Sequence, residues 1–435
     1  MAELPLPDRP RPHLQPAFVE SSRVALADLR KSWHPIVWGL IVYVAVANLL
    51  ISALTPLRIA GILDPVELRN PLLIASLGLW VVLGNPFRIL KPRFLVQYVL
   101  ILMIVVSAWR GIENFYNPFY QRNYLSHLFQ LGSAYCLLGV GYHASNQIPK
   151  KVWMILGWAT VGAVLLSTQT IISSLERGEV ERFYTAAYSL LLPMAFGLLY
   201  SRRMAIASFL LLIISNKRAV MLAIAPMFAV FMKIGPSSHA RRRKVTEKLL
   251  MLLVGVSVMA SAAALLGFIA GSAGSDQSGV TRAAQITYER MASSIEVGTG
   301  ERSLEEIDAG RTFEVQTALD TLDSFELAFG SGAGWTIYLR DHFAQNVHFT
   351  PISLTVVFGV FFAVYIYAFL IRTVWRGMRR TSAPTVAESI APIYLSGAIV
   401  HTLFAYSIFI DFFIFFFAGA VLAGVERDKA ARSAA

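Results

Sequence analysis

The chain has 435 residues, 56% of them hydrophobic and only 15% charged, with a mean hydropathy of +0.57. That is far too apolar for a soluble globular protein of this length and points to a polytopic, all-α membrane protein. The net charge of +11 is not the footprint of nucleic-acid binding, because Lys and Arg recur between apolar runs instead of gathering on one module.

In chain order, residues 1–34 hold five prolines and no apolar core followed by a cleavage site, so they read as a cytoplasmic N-terminal tail rather than a signal peptide. Residues 18–29 are weakly amphipathic and suit either a membrane surface or a disordered leader. A helix crosses about 30 Å of hydrocarbon with about 17–25 apolar residues. Ten runs meet that requirement: 35–54, 71–87, 93–109, 126–142, 152–172, 184–200, 249–270, 349–371, 390–406 and 407–425. The single cysteine, Cys136, lies inside one of them, which excludes a disulfide framework and a Cys-based metal site.

One further apolar stretch, 204–232, is interrupted by Asn216, Lys217 and Arg218. Read as two short helices, it brings the total to twelve and leaves both termini in the cytoplasm. With that topology 25 of the 38 Lys and Arg fall on the cytoplasmic side. A single helix would invert everything downstream and export the cluster Arg241, Arg242, Arg243 and Lys244, against the positive-inside bias. The expected order is therefore helices 1–9 over 35–270, one large periplasmic loop containing helices over 271–347, helices 10–12 over 348–425, and a cytoplasmic tail over 426–435. The loop is about 77 residues of polar, Ser-, Gly- and Glu-rich sequence, and long loops held on a rigid scaffold tend to carry function.

Chemistry concentrates near that loop. The helices flanking Lys217 and Arg218 would reach about 18 and 21 Å, less than the hydrocarbon thickness, so the two cations sit below the outer surface. Charges at such depth face a cavity or a partner, or else snorkel from an ordinary turn. An anion site is the functional reading, Arg gripping phosphate bidentately and Lys adding a point charge. Two more outer-side cations suit the same ligand: Arg182, just before the helix that starts at Tyr184, and Arg311, opening the amphipathic stretch 311–322 with Phe313, Leu319 and Leu322 on its apolar side. Each of these is equally readable as a solvated loop charge. His348, where the loop meets the next helix, is the candidate for proton chemistry. His342 is a weaker one, and His401 faces Asp411 only if the last two helices pack closely. No Gly-rich nucleotide loop and no metal-ligand spacing occurs, so no cofactor and no metal are expected.

Three segments resemble the O-antigen ligase and O-antigen polymerase superfamily of bacterial membrane glycosyltransferases. "LLIISNKRAVMLA" from Leu211 is similar to the family's apolar run broken by a Ser-Arg pair, with Arg218 at the arginine position. "GRTFEVQTALDTLDSFELAFGSGAGW" from Gly310 resembles the loop segment in which an Arg opens a helix ending in a Gly-x-Gly turn; Arg311, Gly330, Gly332 and Gly334 fall in the corresponding places. "HFTPISLTVVFG" from His348 resembles the pattern of a His eleven residues before a Gly, Gly359. Phe349 stands where the family often has Asn, and Lys217 where it has Ser.

The resemblance implies transfer of glycan from a polyprenyl (undecaprenyl) diphosphate donor to a sugar hydroxyl on the periplasmic face of the inner membrane, inverting and independent of metal. Lys217, Arg218, Arg182 and Arg311 would bind the diphosphate, and His348, Arg218 and Arg311 would be catalytic. The expected activity is O-antigen, capsule or exopolysaccharide polymerase, with other polysaccharide export proteins as possible partners. The alternatives are a ligase that places the glycan on a lipid A core acceptor and, in another class, a transporter or flippase of an anionic lipid-linked sugar. No internal repeat relates the first six helices to the last six, which weakens the transporter reading.

Overall fold

A computed structural model of the chain describes residues 90–91, 93–178, 187–215, 218–234, 281–282, 285–286, 288–289, 311–339, 342–344, 347, 349–380, 384–404, 408–409 and 411–434. The expected spans at 35–54, 71–87 and 249–270, and the N-terminal tail, lie outside them. The described chain is predominantly helical. Its α-helices are α1 (Leu95–Arg110), α2 (Ile112–Tyr116), α3 (Pro118–Ala144), α4 (Lys150–Glu176), α5 (Leu191–Tyr200), α6 (Arg202–Ile214), α7 (Arg218–Ile234), α8 (Arg311–Asp320), α9 (Ser324–Phe329), α10 (Thr350–Phe358), α11 (Val360–Met378), α12 (Val386–Leu403) and α13 (Phe412–Ala434). Three of these, α4, α11 and α12, are long and apolar enough to cross a membrane.

Two expectations need correction. The run 349–371 is not one helix: it breaks at Gly359, whose φ of 90° ends α10 and starts α11. The chain is also not wholly α-helical, since the loop carries a two-stranded antiparallel hairpin, β1 (Ile337–Leu339) and β2 (His342–Ala344), with Leu339 opposite His342. The stretch 204–232, by contrast, is two helices, α6 and α7, parted after Ser215.

The core sits where α13 crosses α3. A Cβ on Gly141 would lie 1.9 Å from the Phe416 carbonyl oxygen, and one on Gly419 would lie 2.1 Å from that of Leu138. Only glycine permits so close a backbone approach, the small-residue packing of membrane helices. Around the crossing, Phe415, Phe416 and Phe417 are fully buried with Trp153 of α4, whose ring stacks 5.6 Å from that of Phe417. Against α12, Gly397 receives Met227 of α7.

Basic side chains gather at one end of this bundle, around the first turn of α12. Thr385 and Glu388 form a capping box there. Glu388, 1% exposed, holds Arg380 at 2.6 Å and also pairs with Arg427. Beside them Lys91 and Arg93 pair with Glu426, and Lys150 lies 4.6 Å over the ring of Tyr200, whose hydroxyl bonds Ser389. Lys233, at the end of α7, lies over Trp375 of α11. Since α6 starts and α7 ends at this basic end, the two run antiparallel and meet at the opposite end.

Candidate functional site

That opposite end holds the loop elements. α9 starts with a capping box between Asp323 and Glu326 and ends at Gly330, φ 81°. From there the chain threads between helix ends. The Ser331 and Gly332 amides donate to the carbonyls of Val356 and Val357 in α10, at 2.8 and 3.1 Å, and the Ala333 amide donates to Ser107 of α1 at 2.9 Å. The Gly334 amide donates to His127 Nδ1 at 3.1 Å, Asn114 Nδ2 donates to the Ala333 carbonyl at 3.0 Å, and Asn123 Nδ2 donates to Thr336 Oγ1 at 2.8 Å.

Gly330 and Gly359 make this docking reciprocal. A Cβ on Gly330 would fall 2.3 Å from the Val357 oxygen, and one on Gly359 would fall 2.2 Å from the Ala328 oxygen. Both also have positive φ, which a side chain opposes. The segments 311–335 and 349–359 are thereby interlocked through their backbones. α8 packs on α10 as well. It buries Ala318 fully and packs Val315 against the core, as does Leu322 just after it, whereas Phe313 is 45% exposed. Of the Phe313, Leu319, Leu322 face read in the sequence, Leu322 thus packs inward and Phe313 does not.

Of the sequence-predicted residues, Arg182, Lys217 and His348 lie outside the described residues, as do the side chains of Arg218 and Arg311. Arg218 is the first residue of α7, which has no acidic residue in its first turn. Arg311 is the first residue of α8, with Glu314 following. A helix N-terminus carries about half a positive charge, so a cation there raises a potential that favours an anion. The residues on either side of position 348 are both described. Val347, wholly buried, donates its amide to Ser353 Oγ and accepts that hydroxyl through its carbonyl, both at 2.8 Å. Phe349, the N-cap of α10, is extended at φ −136°.

At the far end of α12, the Tyr367 hydroxyl donates to Thr402 Oγ1 at 3.3 Å and also bonds Thr350, two residues after His348. His401 stacks on Tyr188 at 6.1 Å. α12 and α13 do pack together, and Asp411 accepts the Tyr394 hydroxyl at 2.5 Å. Sequence reasoning passed over His127, Asn114 and Asn123, which hold the glycine turn. The available signal was a polar ring at His127 inside an apolar run, where such a group needs a partner. Among the described residues no group of three His, Cys, Asp or Glu is spaced to hold a metal ion.

No family model matches the chain, and no curated protein matches it.

Proposed function

We propose that this protein is a membrane glycosyltransferase that moves glycan from a polyprenyl diphosphate carrier to a sugar hydroxyl, acting as a polysaccharide polymerase. In this reading about twelve helices span the bacterial inner membrane, the basic end and both termini face the cytoplasm, and the 271–347 loop is periplasmic. The interlock of Gly330 with Gly359 carries the proposal. It joins two of the three segments on which the resemblance rests, and it does so at the end away from the clustered basic residues, as the positive-inside bias requires of a periplasmic site.

The chemistry follows from the residue types. The acceptor oxygen attacks the anomeric carbon from the face opposite the diphosphate. A C–O bond forms, the bond to the diphosphate breaks, and its electron pair leaves on the carrier, inverting the carbon. Lys217, Arg218, Arg311 and Arg182 neutralise the charge that develops on the leaving group, where preorganised cations act best. His348 takes the acceptor proton. A diphosphate is already a good leaving group, so electrostatic stabilisation and positioning supply most of the required barrier lowering.

The test is incubation of the purified protein with a polyprenyl-diphosphate repeat unit, with products resolved by length and anomeric configuration. The proposal expects inverted products that grow by whole repeats. A product formed only with added lipid A core would make it a ligase. Movement of intact lipid-linked sugar across vesicles without bond cleavage would make it a transporter and refute the enzyme reading.

A further inference from the structure

The basic end treats its cations in two ways. Lys91, Arg93, Arg380 and Arg427 are matched by Glu426, Glu388 and Asp428. Lys233, Arg372, Arg376 and Arg379 are not: among the described residues none of the four forms an ion pair with a carboxylate. Two of them share one aromatic ring, Lys233 Nζ lying 4.7 Å and the Arg379 guanidinium carbon 4.1 Å from the centroid of Trp375. A cation over an indole face is favourable by itself. Two like charges on one ring also repel, and an anion between them offsets that repulsion.

The position of this ring identifies the anion. Arg372, Arg376 and Arg379 recur at intervals of four and three residues, so they share one side of α11. Next to them runs an apolar stripe at the same spacing, Phe361, Val364, Ala368, Ile371 and Trp375, all exposed. The stripe belongs to a helix long and apolar enough to span a membrane, and it ends at the ring that carries Lys233 and Arg379. An acyl chain suits the stripe and a phosphate suits its end. Tryptophan and basic residues at such a boundary are what a headgroup meets. We propose that Lys233, Arg372, Arg376 and Arg379 around Trp375 form a binding site for an anionic phospholipid between α7 and α11. The site rests on the membrane-spanning character of α11 alone and holds whether or not the protein is a glycosyltransferase.

The experiment uses the full chain in phosphatidylcholine vesicles, with a minor share of either brominated phosphatidylglycerol or brominated phosphatidylcholine. Bromine quenches tryptophan fluorescence at contact, and subtracting the Trp375→Phe signal isolates Trp375 from the other seven tryptophans. Phosphatidylglycerol is expected to quench Trp375 several-fold more than phosphatidylcholine at equal content. The triple variant Lys233→Gln, Arg372→Gln, Arg379→Gln removes that excess while keeping the phosphatidylcholine signal; all three side chains are exposed, so their exchange leaves the packing intact. Lys150→Gln, at a different cation–ring contact of the same end, keeps the excess. Equal quenching by both lipids in the wild type, or an excess that survives the triple variant, overturns the site. Loss of the excess on adding inorganic phosphate overturns the lipid assignment in favour of a soluble anion.

Discussion

Substituting Gly359 by Ala is the sharpest perturbation of the interlocked end. The residue has φ 90° and ψ 154°, a region that only glycine populates freely, and forcing another residue into it costs about 1–3 kcal/mol. Its new Cβ would also lie 2.2 Å from the Ala328 oxygen and 2.6 Å from Phe329 Cα, so α9 and α10 must separate. Separation breaks the two hydrogen bonds that the Ser331 and Gly332 amides donate to α10, worth about 0.5–1.5 kcal/mol each. Together these terms come to about 2–6 kcal/mol of docking free energy. At tenfold per about 1.4 kcal/mol, the opening equilibrium of this unit rises about 30-fold to about 10⁴-fold. Hydrogen–deuterium exchange of a peptide covering 329–337 reads this directly in detergent-solubilised protein. The control is Gly132→Ala, a helical glycine whose Cβ would meet nothing within 4 Å and which should gain slightly in stability. Exchange in Gly359→Ala within about threefold of wild type would refute the argument.

Two further substitutions probe the frame. His127→Leu removes the acceptor of the Gly334 amide and leaves a buried donor, at a cost of about 1–3 kcal/mol; exchange should rise at residues 332–336 and stay unchanged in α12, and equal protection at both places would show that the bond is dispensable. Glu388→Ala removes the nearer of the two carboxylates paired with Arg380, whose side chain is only 4% exposed, and leaves it Asp428 at 3.8 Å. Removing one partner of a buried pair costs about 3–5 kcal/mol, so the melting temperature in detergent should fall further than for any exposed cation at the same end, and a drop no larger than that of Lys150→Gln would contradict the network.

How far the sequence reveals this protein depends on whether a feature is local. The break between α6 and α7 is legible because Asn216, Lys217 and Arg218 interrupt an apolar run, and charge has no place in a continuous span. The break at Gly359 is not, because a lone glycine between Phe358 and Val360 gives no sign of φ 90°; the close approach of Ala328, about thirty residues earlier, demands it. The buried ion group suffers the same difficulty. Arg380, Glu388 and Arg427 read as ordinary cytoplasmic charges until α12 and α13 bring them together. On the site, motif order led to the segments around Arg218, Arg311 and His348, and the structure shows why two of those segments need their glycines. The residues that pin the turn, His127, Asn114 and Asn123, come from α2 and α3, more than two hundred positions away, and no spacing rule links them.

The claim most exposed to test is that Arg218 and His348 act in transfer from a lipid diphosphate. The direct measurement is glycan transfer from a purified polyprenyl-diphosphate donor, in detergent with a chelator and without nucleotide, comparing wild type with Arg218→Ala and His348→Ala. The account predicts product from the wild type and its loss in both variants, with binding of the donor weakened mainly by Arg218→Ala. Transfer that persists in both variants would contradict it.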